Sequence, residues 1–326
     1  MTPIDPATGK PRVGAMWAAL GAIYFFWGTT YLAIRVGVET MPPFLMAGVR
    51  FLIAGGLLYV VAIRLGDRTG DRPTARHWRS AAIIGAALLF GGNGLVTLAE
   101  KTVPSGIAAL MIATVPLWLV VFARLFLGDR AGWREWLGIA AGMVGLALLV
   151  NPFAEGGFDL AGMIWLTIAP LTWAAGSLYA RRAALPKRAL VGTSMEMLCG
   201  GAILLVAGIV TGELADLRLG AISFESLLGL GWLIVFGSIV GFTAYVWLLA
   251  NARTSLVGTY AFVNPIVAVL LGWLILDEAI TLRTVIAGAV IVVGVALIIT
   301  ARGARVDDDD RAAGADEPLE DDRVPA

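Results

Sequence analysis

The chain has 326 residues, of which 59% are hydrophobic and only 15% are charged. Soluble domains carry about a quarter charged residues, so the composition excludes an ordinary soluble protein. Lys and Arg total 24, as do Asp and Glu, but the net charge of zero conceals an acidic C-terminal end. Cysteine and histidine occur once each, as Cys199 and His77, which excludes an intramolecular disulfide and argues against a Cys/His metal site or a Ser-His triad.

Long apolar runs dominate the chain. A bilayer core needs about 20 apolar residues of helix, and continuous apolarity favours helices over the alternating pattern of a membrane β-barrel. The sequence therefore predicts an all-α polytopic membrane protein. Its ten predicted spans are 13–34, 43–63, 78–99, 105–127, 133–150, 160–179, 190–210, 227–249, 256–276 and 282–299.

The positive charges predict the orientation, because cytoplasmic loops of membrane proteins are enriched in Lys and Arg. With the N-terminus inside, 19 of the 24 Lys and Arg residues fall on the cytoplasmic side and four on the other, and Arg50 lies within a span. We therefore expect a multi-pass protein of the cytoplasmic (inner) membrane with both termini in the cytoplasm.

An internal repeat divides the chain. At an offset of 149 residues (265 − 116), Pro116 aligns with Pro265 and Asp129 with Glu278, and at 146 residues (173 − 27), Trp27 aligns with Trp173. Five spans per repeat is an odd number, so the second repeat enters the membrane from the opposite side, which gives inverted repeats typical of carriers. The predicted segments are a cytoplasmic N-terminus (1–12), a first repeat (13–150), an extracytoplasmic linker (151–159), a second repeat (160–300) and a disordered acidic cytoplasmic tail (301–326).

Ionisable residues inside spans are the strongest indication of a site, since burying charge in hydrocarbon is costly. Arg50 and Glu196 each lie about 10 Å below opposite membrane faces, at about 1.5 Å of rise per helical residue, so a direct pair is not expected. Both are candidate vestibule residues, and Glu196 is also a candidate proton or cation carrier. The alternatives are a structural hydrogen bond for either residue and snorkelling of Arg50 to its interface.

Other polar and aromatic residues lie at depth. Asn93 and Thr97 lie in a Gly-rich stretch of span 3 that requires protein or a cavity beside it. Pro116 and Pro265 bend spans 4 and 9 and are candidate gates, with packing kinks as the alternative. Trp27, Trp173 and Tyr245 lie deep enough to wall a cavity or to pack in the core.

Small residues also recur along two spans. Gly138 with Gly142, and Gly237 with Gly241, form small-xxx-small pairs that we assign to helix packing.

Motifs for energy coupling are absent from the sequence. No Gly-x-x-x-x-Gly-Lys phosphate loop occurs, so we expect no ATP hydrolysis on this chain. We predict no catalytic residue, cofactor, metal site or nucleic-acid partner. The expected partners are the lipid bilayer, a small-molecule solute and, as a candidate coupling ion, the proton.

Several motifs together resemble a known family. They are Trp27-Gly28-Thr29-Thr30-Tyr31, Pro-Leu-Trp and Asn-Pro-Ile at the paired prolines, and the Leu-Gly-Asp and Leu-Asp-Glu that close spans 4 and 9. The chain resembles the EamA family of the drug/metabolite transporter superfamily, and within it inner-membrane transporters of the YedA type.

The resemblance implies a secondary carrier with a central cavity between the two halves, often exporting amino acids or other small metabolites. Carried over by position, the implied cavity residues are Trp27, Tyr31, Asn93, Trp118, Trp173, Tyr245, Tyr260 and Asn264.

The predicted function is secondary transport of a small organic solute by alternating access, as an exporter of amino acids or related metabolites. One rival is a membrane-embedded enzyme acting on a lipid-linked substrate, which would need clustered His, Asp or Glu at one membrane face. The other rival is a non-transporting sensor, which the sequence disfavours because no effector domain is present.

Overall fold

A computed structural model describes residues 13–65, 72–128, 132–150, 159–252, 254–257 and 259–315. Within these ranges, all regular secondary structure is helical. The predicted N-terminal segment 1–12, nearly all of the predicted linker and the last 11 residues of the predicted tail lie outside the described residues.

The long helices follow the predicted spans closely. Eight helices of the described chain have the length and apolarity to cross a bilayer, and Trp133–Val150 and the shorter apolar helix Tyr260–Leu276 bring the long helices to ten. We number the long helices α1 (Val13–Gly37), α2 (Pro43–Leu65), α3 (Ala75–Ala99), α4 (Ser105–Leu127), α5 (Trp133–Val150), α6 (Leu160–Ala180), α7 (Ala189–Val210), α8 (Phe224–Leu249), the shorter α9 (Tyr260–Leu276) and α10 (Leu282–Ala315). Short helices Glu213–Asp216 and Thr254–Val257 lie between them.

Caps explain why two helices begin earlier than their apolar runs. Thr74 accepts a hydrogen bond from the backbone N–H of His77 (3.3 Å), so α3 begins at Ala75. Ser223 does the same for Ser226 (3.1 Å), so α8 begins at Phe224. A hydroxyl that satisfies an unpaired N–H of the first turn extends a helix into polar sequence, which an apolar count overlooks.

The last helix continues beyond the membrane-length segment. The apolar part ends at Ala301, but helical backbone continues to Ala315, where the sequence predicts a disordered tail. Ala and Arg, both strong helix formers, are frequent in this segment and favour propagation of an existing helix.

Helices that the sequence repeat makes equivalent pack against each other. A Cβ added to Gly48 of α2 would lie 2.7 Å from Leu205 of α7, and one added to Gly55 would lie 2.7 Å from Met197. Residue numbers rise along α2 while they fall along α7, so the two helices run antiparallel.

The same holds for α5 and α10. A Cβ on Gly138 would lie 2.6 Å from the carbonyl oxygen of Gly294, and one on Gly145 would lie 2.7 Å from Ile291. Gly138 therefore serves the packing role assigned to it, because only a residue without a side chain permits this approach of two backbones. Both pairs of helices are thus antiparallel neighbours.

The main apolar core joins the two halves. Its fully buried members include Leu117 of α4, Leu166 of α6 and Ile291 of α10. Large side chains on the outer faces stay exposed, for example Leu274 at 69% and Val210 at 79%. Exposed apolar faces around a packed interior are expected of a bundle whose solvent is lipid.

Candidate functional site

A cavity lies between the two halves of the chain. Its empty volume is about 820 Å³, open solvent at its mouth included. Helices of both halves wall it. The lining residues are Trp27, Thr30, Tyr31, Ile34, Arg50, Gly92, Asn93, Val96, Ala109, Ile112, Ala113, Val115, Pro116, Trp173, Gly237, Phe242, Tyr260, Ala261, Asn264 and Pro265.

Widened helical turns present three sides of this cavity. Backbone of π-helical geometry occupies 23–27 in α1, 86–94 in α3 and 233–240 in α8. These segments contribute Trp27, Gly92 with Asn93, and Gly237 to the lining. A π-helical turn inserts one residue and re-aims the side chains that follow, and such turns concentrate at functional sites.

Glycines in the cavity wall let aromatic rings pack directly against the helix backbone. A Cβ on Gly92 would lie 2.5 Å from Cε3 of Trp173, and a Cβ on Gly241 would collide with Nε1 of Trp27. The Gly-rich stretch of α3 is therefore needed to seat Trp173 of α6. Because they lack side chains, the glycines at the wall permit both close contact between helices and direct packing of aromatic rings.

Trp27 stands at the centre of an aromatic cluster at one end of the cavity. Its ring centroid is 5.1 Å from those of both Tyr245 and Tyr260 and 5.4 Å from that of Phe242. Its Nε1 donates to the carbonyl oxygen of Gly237 (3.1 Å). Phe242 and Tyr260 meet the Trp27 ring edge to face, and the Tyr245 ring is tilted to it by 43°. Such ring contacts are attractive, so the cluster ties α1 to α8 and α9.

Arg50 is the one charged residue among those that line the cavity in the described part of the chain. Its side chain is only 3% exposed, and its Nε donates to Oγ of Ser238 (2.9 Å). The guanidinium carbon lies 4.6 Å from the ring centre of Phe51. Guanidinium groups bind carboxylate and phosphate oxygens strongly, so Arg50 equips the cavity for an anionic group.

Two amide side chains add polar contacts. Asn264 is 6% exposed, and within the described residues its Oδ1 has no hydrogen-bond partner. Asn93 also lines the cavity. A buried amide oxygen without a donor is unfavourable by itself, and a solute hydroxyl or ammonium group would satisfy Asn264.

The two paired prolines differ in their helical context. The backbone of α4 is interrupted at Ala113 and Thr114, and Pro116 lies in the first turn of the segment that follows. There the missing N–H removes no hydrogen bond. Pro265 instead lies inside α9, where it leaves a carbonyl unpaired. Both prolines line the cavity.

Nine of the thirteen predicted site residues meet in this cavity. They are Trp27, Tyr31, Arg50, Asn93, Pro116, Trp173, Tyr260, Asn264 and Pro265. Tyr245 is one layer behind the wall, against Trp27 and Tyr260.

Three predicted residues lie elsewhere. Thr97 is buried, and its hydroxyl donates a hydrogen bond to the carbonyl oxygen of Asn93 (2.8 Å). Trp118 packs near Phe122, at 6.4 Å between ring centroids. Glu196 of α7 lies beside Gly85 of α3, outside the cavity lining.

Sequence reasoning missed Thr30 and Phe242 and assigned Gly237 to packing alone. Phe242 follows Gly241, the position against which Trp27 packs, so an aromatic residue next to a small-xxx-small pair was the available signal. Thr30 donates to the carbonyl oxygen of Trp27 (2.6 Å), a contact with no signature in sequence.

Metal chemistry finds no support in the described residues. No group of three or more His, Cys, Asp or Glu side chains in those ranges is placed to hold a metal ion.

Comparison with known proteins identifies the family. The model of the EamA-like transporter family matches twice, over residues 12–151 and 160–300. The chain belongs to the EamA-like transporter family.

Named relatives are membrane transporters. The chain is 42% identical over 289 residues to the uncharacterized inner membrane transporter YedA of Escherichia coli K12, covering 87% of the chain and 90% of the relative. It is 24% identical over 281 residues to the uncharacterized transporter YvbV of Bacillus subtilis, covering 86% and 90%. This protein is therefore a multi-pass inner-membrane transporter, and a small solute and the bilayer are its implied partners.

A solved structure shares the fold. A crystal structure whose sequence is 22% identical superposes with a TM-score of 0.61 over 90% of this chain and 99% of the other. At this identity the likeness establishes the fold alone.

Proposed function

We propose that this EamA-family protein is a secondary carrier that exports amino acids or related small metabolites from the cytoplasm. In this proposal ten spans form two inverted five-helix repeats, and the cavity between them opens alternately to the two sides. Both termini face the cytoplasm. The observation that carries the proposal is the cavity itself, because both halves line it and, among its described lining residues, the one charged side chain is a buried arginine.

Alternating access is supported by the packing of equivalent helices. The α2–α7 and α5–α10 pairs are antiparallel, which is the arrangement expected when a two-fold axis in the membrane plane relates the repeats. Two nearly equivalent halves have two nearly equivalent ways to pack around one site. Such a molecule exchanges at small free-energy cost between a state open to one side of the membrane and a state open to the other side.

The lining chemistry favours a zwitterionic solute with an apolar or aromatic body. Arg50 would bind its carboxylate, the unpartnered Oδ1 of Asn264 would accept from its ammonium group, and Trp27, Trp173 and Tyr260 would contact the remainder. Cation–π attraction between the ammonium group and these rings adds to this preference.

Counterflow in proteoliposomes tests the proposal. Purified protein is reconstituted into vesicles preloaded with an unlabelled amino acid, and entry of the labelled compound is followed. We expect transient accumulation above that in protein-free vesicles, because a carrier exchanges solute across the bilayer without other energy. The panel includes aromatic and aliphatic amino acids and, as matched controls, their C-terminal amides, which lack the carboxylate.

Loss of one charge-assisted hydrogen bond is worth about 1.5–3 kcal/mol, so the amides should compete roughly 10- to 100-fold less well. A membrane enzyme or a sensor would give no counterflow with any member of the panel, and that result would refute the proposal. Equal competition by the amides would refute the role given to Arg50.

A further inference from the structure

The side chain of Arg50 is held in place by a residue of the opposite half of the molecule. Its Nε donates to Oγ of Ser238 on α8 (2.9 Å). Ser238 is fully buried and is not among the described residues that line the cavity. It can therefore act on a solute only through Arg50.

This hydrogen bond decides which edge of the guanidinium group is available. A guanidinium group can bind a carboxylate through Nε and one terminal nitrogen, or through both terminal nitrogens. Nε carries a single hydrogen, and Ser238 accepts it. The edge formed by Nη1 and Nη2 then remains for a bidentate contact. The ring of Phe51, with its centre 4.6 Å from the guanidinium carbon, covers one face of the group.

Gly237, the residue before Ser238, leaves this remaining edge accessible. A Cβ added to Gly237 would lie 3.1 Å from Nη2 of Arg50 and 2.9 Å from Cγ2 of Thr30. Gly237, Arg50 and Thr30 all line the cavity. A side chain at position 237 would therefore crowd Nη2, and its absence leaves that nitrogen open to the cavity.

The polar groups beside Nη2 already have partners. The carbonyl oxygen of Gly237 accepts from Nε1 of Trp27 (3.1 Å), and the hydroxyl of Thr30 donates to the carbonyl oxygen of Trp27 (2.6 Å). A buried guanidinium group is stabilised when acceptors satisfy its donors. A solute carboxylate would supply acceptors to the terminal nitrogens of Arg50.

Both residues that act on Arg50 lie in the π-helical segment 233–240 of α8. A π-helical turn changes the direction of the side chains that follow the inserted residue. Here two consecutive positions serve one arginine, Gly237 at the cavity wall and Ser238 buried behind it. Because Arg50 belongs to α2, the two halves of the molecule form this subsite together.

The charge of the subsite limits what it can bind. Arg50 is the one charged residue among the described lining residues. A carboxylate has a single charge and a plane that matches two parallel N–H groups. A phosphate or phosphonate group is tetrahedral and carries close to two negative charges at neutral pH. Its second charge would be buried without a partner, which is unfavourable.

We propose that Ser238 and Gly237 determine the specificity of this carrier. Ser238 is a positioning residue that presents the Nη1–Nη2 edge of Arg50 to the cavity, and Gly237 leaves room there for a planar carboxylate. The pair selects carboxylates over neutral amides and over phosphonates. The inference rests on the proposed carrier function and deepens it, because it assigns the selectivity to two residues of α8.

The first experiment uses the unmodified protein and sets of three compounds with one side chain. Each set contains phenylalanine or leucine, its C-terminal amide, and the aminophosphonate in which a phosphonate replaces the carboxylate. Competition is measured in the counterflow assay, and binding by the shift in melting temperature in detergent. We expect the amide and the aminophosphonate each to compete at least about tenfold less well than the amino acid, the lower end of the effect of one charge-assisted hydrogen bond. Equal competition by the aminophosphonate would overturn the inference.

The second experiment compares two buried serines of α8. Ser238→Ala removes the acceptor of Nε, so the guanidinium group turns to other acceptors and a bidentate contact becomes a single one. We expect the ratio of amino acid affinity to amide affinity to fall about tenfold, the effect of one charge-assisted hydrogen bond. Ser226→Ala removes a buried hydroxyl that donates to the carbonyl oxygen of Val36 (2.8 Å). It should lower the melting temperature but keep the ratio of the unmodified protein.

A glycine pair tests access to Arg50 without removing its hydrogen bond to Ser238. Gly237→Ala places a methyl group beside Nη2, so it should weaken binding of the amino acid by about tenfold and weaken binding of the amide less. Gly231→Ala is the matched control on the same helix, because nothing lies within 4 Å of its added Cβ. It should bind both compounds as the unmodified protein does.

The outcomes separate the inference from the carrier function. An unaltered affinity ratio in a folded Ser238→Ala protein, or an equal fall in Ser226→Ala, would overturn the inference and leave the carrier standing. So would a Gly237→Ala protein that matches Gly231→Ala, which decides the question if Ser238→Ala does not fold. Absence of counterflow with every compound would instead refute the carrier function, while the melting-temperature shifts would still report the selectivity of binding.

Discussion

Among the residues of the cavity, Arg50 gives the most specific expectation about the chemistry of the solute. A buried guanidinium is stabilised only if its donors find acceptors, and the described contact of Arg50 with Ser238 uses Nε alone. Its Nη2 lies close to Gly237, and both residues line the cavity. Binding of an anionic group would therefore complete the hydrogen bonds of a residue that the fold holds in place.

Replacing Arg50 with Gln should weaken binding of a carboxylate solute by roughly 10- to 100-fold, because a charge-assisted hydrogen bond contributes about 1.5–3 kcal/mol. Competition in the counterflow assay measures this change. Arg218→Gln, at an exposed arginine after α7, is the matched control and should leave affinity unaltered. Unchanged affinity in Arg50→Gln would show that the carboxylate binds elsewhere.

At the scale of the helices, glycine positions decide which elements touch. Gly92 of α3 permits Trp173 of α6 to pack against the backbone, with 2.5 Å between an added Cβ and the ring. Gly56 of α2 has nothing within 4 Å of its added Cβ. Both glycines are helical, Gly92 in a π-helical segment and Gly56 in a regular α-helix, but they differ in their neighbours.

Replacing Gly92 with Ala should destabilise the protein by about 1–3 kcal/mol, the usual cost of overpacking a close contact. It should also displace Trp173 and so reduce transport. Gly56→Ala is the control and should be neutral or stabilising by up to about 1 kcal/mol, because Ala restricts the unfolded chain and strengthens the helix. Melting temperature in detergent measures both. A Gly92→Ala protein as stable as the original would contradict the close contact.

The same contrast explains what could be predicted from the sequence. Apolar runs are long and continuous, so they predicted the helix ends to within a few residues, except that α10 continues to Ala315 instead of ending at 299. The intramembrane charge rule identified Arg50. Two features of the structure could not be predicted from the sequence. The π-helical segments depend on backbone geometry that no residue type specifies, and they place Gly237 at the cavity wall. Glu100 is fully buried and its backbone oxygen accepts a hydrogen bond from Arg35 of α1, which is distant from it in the chain.

At the scale of the whole molecule, the repeat and the charge distribution make one joint prediction about topology. Arg35 lies in the last turn of α1 and Arg181 follows α6, and the 146-residue offset (181 − 35) makes these two residues equivalent. In parallel repeats they would face the same side of the membrane. In inverted repeats they face opposite sides, and the bias of Lys and Arg places Arg181 in the cytoplasm.

Single cysteines test this directly, since Cys199 is the chain's sole native cysteine. In a Cys199→Ser background, cysteines replace Thr102 or Arg218 on the predicted outer side, and Arg72 or Arg182 on the predicted inner side. A membrane-impermeant maleimide added to whole cells should label the first pair alone, and disruption of the membrane should expose the second pair. Labelling of Thr102 and Arg182 positions from one side would exclude inverted repeats. Alternating access would then lose its structural basis. It requires that the two halves exchange their conformations so that the cavity opens first to one side of the membrane and then to the other, and only halves of opposite orientation can do this.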